Sequence, residues 1–172
     1  MRKVIPIAAG SGGPGTPSAA NPAVVHVVQH TSAEYLGLME DHLEGRSIRF
    51  RYHRPFTGKA PLPAADTLGN GLFLLGGGPW GSAGVRDVPT LKDEIALARA
   101  ALENDEPVIG IGLGAQILAL AAGGSSRPAQ LEISVGTARR TAQGALGGYL
   151  PAEYPLAVYM RDWPVPPAAA EV

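Results

Sequence analysis

The sequence holds no cysteine, which excludes disulfides, thiolate metal sites and any thiol nucleophile. Charge is sparse as well: Asp, Glu, Lys and Arg make up 17% of the 172 residues and leave a net charge of −1. Without a field of either sign, neither nucleic acid nor an anionic membrane is an expected partner. Long hydrophobic runs are missing too, so no segment reads as membrane-spanning. The start Met1-Arg2-Lys3 with Val4-Ile5-Pro6-Ile7 imitates a secretory signal, but Pro6 cuts a very short apolar stretch. A cytoplasmic location is the expectation. The 4 histidines show no metal-ligand spacing, so neither a metal nor a cofactor is expected.

Glycine (23) and proline (16) are plentiful, and many of them lie near the two ends. Residues 1–22 therefore read as a flexible leader and 164–172 as a loose tail around one domain, 23–163. The leader's Gly10-Ser11-Gly12-Gly13 is no phosphate loop, because no Gly-Lys-Ser/Thr follows it.

Within the domain, strand and helix patterns alternate. Ala23 to Gln29 is a β-branched run suited to a buried strand, with His30 and Thr31 just past its end. Leu36, Met39 and Leu43 then recur at helical spacing up to Gly45. Ile48, Phe50 and Tyr52 alternate with Arg49, Arg51 and His53, as in a strand nearer an edge. Gly71 to Leu75 is a second buried strand, and it enters Gly76-Gly77-Gly78-Pro79-Trp80. Pro89 to Asn104 is a helix with Leu91, Ile95, Leu97, Ala98 and Leu102 as its apolar face. Weaker strands follow at Leu131–Thr141 and Leu156–Met160. The alternation predicts an α/β fold around a mostly parallel sheet, whose ligands sit beyond the carboxyl ends of the strands. His30, Gly77-Gly78 and Gly112-Leu113 all fall at such ends.

Pro107-Val108-Ile109-Gly110-Ile111-Gly112-Leu113-Gly114-Ala115-Gln116 is the most telling stretch. An apolar strand, a glycine-spaced corner and an Ala/Leu-rich helix form a nucleophile elbow, which lifts one residue above the sheet. The lifted residue is Gly112, which has no side chain. The amides of Leu113 and Gly114 open the helix, where free N–H groups and the helix dipole favour an anion. Gly77 and Gly78 permit close backbone approach, Gln116 is placed to reach a carboxylate or amide, and Trp80 to wall the pocket. His30 is the acid–base candidate, since imidazole titrates near neutrality.

At these residues the chain resembles the class I glutamine amidotransferases, above all small proteins similar to the amidotransferase domain of GMP synthase. Val28-Gln29-His30, Glu34 and Glu40-Asp41 match the family's first strand and helix. Leu75-Gly76-Gly77-Gly78-Pro79 matches its oxyanion-hole loop, and residues 107–116 its elbow; Glu132-Ile133 and Asp162 match later segments. The resemblance implies a flavodoxin-like three-layer fold, C-terminally truncated. It also implies that Gly112 stands where the family has its Cys, while the Phe-His-Pro-Glu segment carrying the family's His and Glu is absent. Loss of nucleophile or base leaves only residual catalysis, several powers of ten down. The expectation is a degenerate domain that does not hydrolyse glutamine and binds a small carboxylate or amide metabolite, a partner synthase or its own copy. Two alternatives stand beside it. One is a biosynthetic enzyme of thiol-independent chemistry using the oxyanion-type amides with His30 or Asp162; the other is a glutaminase subunit completed by another chain.

Overall fold

The computed structural model describes residues 23–58, 61–140 and 151–170. The expected leader, 1–22, lies outside the described residues. Four parallel strands form the main sheet: β1 (Val24–Val28), β2 (Arg49–His53), β3 (Leu72–Leu74) and β4 (Val108–Gly110), in the order β2-β1-β3-β4. The β-branched β1 takes a central place, where both faces are covered and Val27 and Val28 are fully buried.

Alternation along the strands sorts the core into two layers. Val28, Leu72 and Leu74 face α2 (Leu91–Glu103) and α3 (Leu113–Ala121), packing on Leu97, Ala98, Ala101 and Ile117. Val25, Val27, Phe73 and Leu75 face the opposite way, onto Leu36 and onto Met39 and Leu43 of α1 (Leu38–Glu44). Each fully buried leucine contributes roughly 1.5–3 kcal/mol. The result is the helix–sheet–helix sandwich of a flavodoxin-like α/β fold.

Two expectations need correction. The first helix begins only at Leu38, because Gly37 at φ 59° and ψ −131° interrupts the chain after Leu36. On α2, Leu102 is 37% exposed, and the inward row is Glu94, Leu97, Ala98 and Ala101. Ile109, in the apolar run before the corner, is 48% exposed; among the described residues β4 is the last strand of the sheet.

After α3, β5 (Ser125–Arg127) pairs antiparallel with β8 (Trp163–Val165), so the first residues of the expected tail are in a strand. Between them, β6 (Glu132–Arg139) and β7 (Glu153–Met160) pair antiparallel as a separate two-stranded sheet. Among the described residues, no helix is long and apolar enough to cross a membrane.

Candidate functional site

The elbow forms where β4 turns into α3. Ile111 N–H donates to the Leu74 carbonyl (2.9 Å), extending the β3–β4 ladder to the corner. Gly112 then caps α3 at φ 56° and ψ −113°. That backbone strains an L-residue by roughly 1–3 kcal/mol, and glycine adopts it freely. A Cβ built on Gly112 would meet only the Gly76 Cα, at 3.4 Å, so the space above the corner is open. Gly114 has the opposite surroundings. Its Cβ would lie 1.9 Å from the Leu74 carbonyl oxygen, so only glycine lets α3 start this close to β3.

The other expected residues divide between site and scaffold. The Gly114 amide donates to the carbonyls of Leu75 (3.1 Å) and Ile111 (2.9 Å), which engages it inside the fold and not with an anion. Leu113 is buried in the core, and a Cβ on Gly77 would lie 2.3 Å from its Cδ2; Gly77 is the seat for Leu113. Gln116 is fully buried and does not face the pocket. Its carbonyl oxygen accepts from Ser82 Oγ (2.6 Å), and its amide donates to the backbone oxygens of Arg161 (2.6 Å) and Asp162 (3.3 Å). The carboxylate of Asp162 accepts the backbone amides of Ser82 (3.0 Å) and Ala129 (2.9 Å), so it fastens loops together.

Over the corner lies a cavity of about 500 Å³, lined by Glu34, Gly76, Gly112, Ala115, Tyr159 and Trp163 among others. Gly78, at φ 54°, lets the Tyr159 ring come close; a Cβ there would sit 3.3 Å from it. The Glu34 carboxyl lies against Gly76, and its Oε2 is buried with no hydrogen-bond partner. Burial pushes the Glu34 carboxyl above the usual carboxylate range, although the His30 ring and the Gly78 amide act against that shift.

His30 sits behind the glycine loop and away from this cavity. Its Nδ1 lies 3.0 Å from the Gly76 carbonyl and its Nε2 2.7 Å from Glu94 Oε2, and both side chains are sealed from solvent. A carbonyl only accepts, so Nδ1 carries a proton. Thr90 Oγ1 donates to the other Glu94 oxygen (2.5 Å). Burial alone would lower the His30 pKa, but the Glu94 hydrogen bond and charge overcome it and raise the value. His30 therefore holds the Gly76 carbonyl in place. Trp80 lies with it on a second, smaller cavity of about 190 Å³, beside Phe56, Val88 and Thr90, and does not line the larger one.

Glu34, Glu94 and Tyr159 were missed as site residues. Glu94 had a signal: it interrupts the apolar row Leu91, Leu97, Ala98 and Ala101, where a charge has to find a buried partner. Tyr159 had none, since β7 reaches the corner only through the tertiary fold.

Residues 59–157 match the glutamine amidotransferase class-I family. No curated protein matches the chain. Among solved structures, a glutamine amidotransferase from Thermotoga maritima is 25% identical, with a TM-score of 0.75 over 88% of this chain and 66% of its own. A glutamine amidotransferase from Methylobacillus flagellatus is 30% identical, with a TM-score of 0.70 over 85% of this chain and 59% of its own. A Thermoplasma acidophilum protein, provisionally assigned as one subunit of GMP synthase, shares the fold at 19% identity and a TM-score of 0.54, over 83% of this chain and 67% of its own. The chain thus spans 66% and 59% of the lengths of the first two.

Proposed function

Because this chain belongs to the class I glutamine amidotransferases, we propose that it is a degenerate member, one that holds a small metabolite at the Gly112 corner without hydrolysing glutamine. One observation carries the reading. The residue raised between β4 and α3, where the family's thiol is expected, is a glycine under open space. Attack on an amide carbon needs a nucleophilic atom at that height, and a base to take its proton. The imidazole nearest the loop, His30, is bonded on both nitrogens, to the Gly76 carbonyl and to Glu94, and does not line the cavity. Removal of a nucleophile lowers turnover by several powers of ten.

The cavity supports the binding half of the reading. Its volume of about 500 Å³ falls within the usual range for small-molecule sites. Ammonia release from glutamine by the purified chain tests the proposal; the rate should match that of a protein-free control. Sustained release at even a thousandth of an ordinary glutaminase rate would overturn it. A thermal-shift screen of small metabolites should find a stabilising ligand, because selective binding to the folded state raises its stability. That stabilisation should vanish in Ala115→Trp, which fills the cavity.

A further inference from the structure

The charge of the cavity fixes what kind of ligand suits it. Of the described residues lining it, Glu34 alone carries a formal charge; the rest are apolar, aromatic or glycine. Among the described residues, no lysine, arginine or histidine lines the wall to receive a carboxylate. Of the two amides expected to hold an anion, Leu113 and Gly114, that of Gly114 is spent on the Leu75 and Ile111 carbonyls. The Glu34 carboxyl itself lies against the glycine loop, where an incoming anion would have to go.

The same carboxyl takes one donor from the fold, the backbone amide of Gly78, and has acceptor capacity to spare. Its Oε2 is buried with no hydrogen-bond partner, and an ionised carboxylate can accept about four bonds. Buried acceptors in native proteins are almost always satisfied, so a lone one calls for an explanation. Tyr35, Tyr159 and Trp163 line the same cavity, and aromatic ring faces attract cations. An acid with spare acceptor capacity, on the wall of a cavity that aromatic rings also line, is complementary to a protonated amine.

We propose that the Gly112 cavity is a binding site for a small organic ammonium ion, with Glu34 as its counter-ion and Tyr159 and Trp163 as its walls. This rests on the reading of the Gly112 corner as a ligand pocket and names the ligand's chemistry. It also departs from the small carboxylate or amide expected from the sequence. The ammonium head pairs with the Glu34 carboxyl on the cavity wall, and the ligand's apolar body packs on the rings and on Leu156 and Ile111. The corner glycine leaves room for that body, since a Cβ on Gly112 would meet nothing nearer than 3.4 Å.

Calorimetric titration of the whole chain at neutral pH with three probes of one shape tests the charge: phenethylamine, 3-phenylpropionate and 3-phenylpropionamide. The amine is expected to bind at least tenfold more tightly than the other two. Glu34→Gln should remove at least tenfold of that affinity, and Glu34→Asp, which keeps the charge on a shorter arm, should retain part of it. Melting curves confirm that each variant is folded. Tighter binding of the carboxylate, or amine affinity unchanged in Glu34→Gln, overturns the inference. If the neutral amide binds best and Ala115→Trp abolishes it, the ammonium inference fails while the pocket reading survives. Should none of the three bind, the ammonium inference fails, and the metabolite screen alone decides the pocket reading. Ammonia release from glutamine would sink the proposed function whatever the titrations show.

Discussion

Two glycines of the elbow, two positions apart, are glycine for different reasons, and their substitutions should separate those reasons. At Gly112 the constraint is conformational: φ is 56° and the space beyond is free. Gly112→Ala should therefore destabilise by about 1–2 kcal/mol, the strain of that backbone region alone. At Gly114 the constraint is steric, because an added methyl would overlap the Leu74 carbonyl. Gly114→Ala should cost about 3 kcal/mol or more, since the helix must shift away from the sheet. Urea unfolding of the two variants measures both. Equal losses would show that the corner relaxes as a unit and would refute the division. The glycine spacing was legible in the sequence as a turn, but which glycine serves the turn and which the packing depends on the approach of β3, which no local pattern records.

On α2 the decisive feature is one acid in an apolar row. Glu94 is fully buried between His30 and Thr90. Removing one partner of a buried charged pair leaves the other uncompensated, so Glu94→Ala should cost about 3–5 kcal/mol. On the same helix, Leu97→Ala should lose about 2–4 kcal/mol, because Leu97 is 6% exposed and packs into the core. Leu102→Ala should stay within about 1 kcal/mol, since that side chain is 37% exposed. Thermal melts of the three variants rank them; a Leu102 loss equal to that of Leu97 would show that the helix face is misassigned. Element positions were largely readable: β1 and β3 from their β-branched or leucine-rich runs, α2 from Pro89 and its period, α3 from the Ala/Leu run after the glycines. What was not readable came from tertiary neighbours. The apolar run of β4 is legible as a strand, but its place at the end of the described sheet is not. Glu34 reads as a polar helical residue, yet Gly37 delays the helix and leaves Glu34 beside the cavity.

For the molecule as a whole, the small net charge of −1 means that general repulsion contributes little to its pH response. A few buried groups should set it. His30, facing Glu94 and Glu34 and bonded to the Gly76 carbonyl, has its pKa raised above the ordinary 6.5; burial opposes this, but the Glu94 bond and charge prevail. A raised value means that the folded state holds the proton more tightly. The stability it contributes is then complete below about pH 6.5 and is lost as pH rises through the folded value. Glu34, raised by burial, acts in the same direction from its ordinary 4.5 upward. His26 works oppositely. Burial first, then the charges of His53 and Arg51, lower its pKa, while Glu106 and the Thr67 backbone pull the other way. Its contribution is present above about pH 6.5 and is lost as pH falls through the lowered folded value. Opposed histidines give a stability maximum with two separable limbs. Urea midpoints between about pH 5 and 9 should fall on the alkaline side in the wild type, and His30→Gln should flatten that side while leaving the acidic fall intact. His26→Gln should do the reverse. An alkaline fall that persists undiminished in His30→Gln would mean that the buried His30–Glu94 pair does not carry the proton linkage.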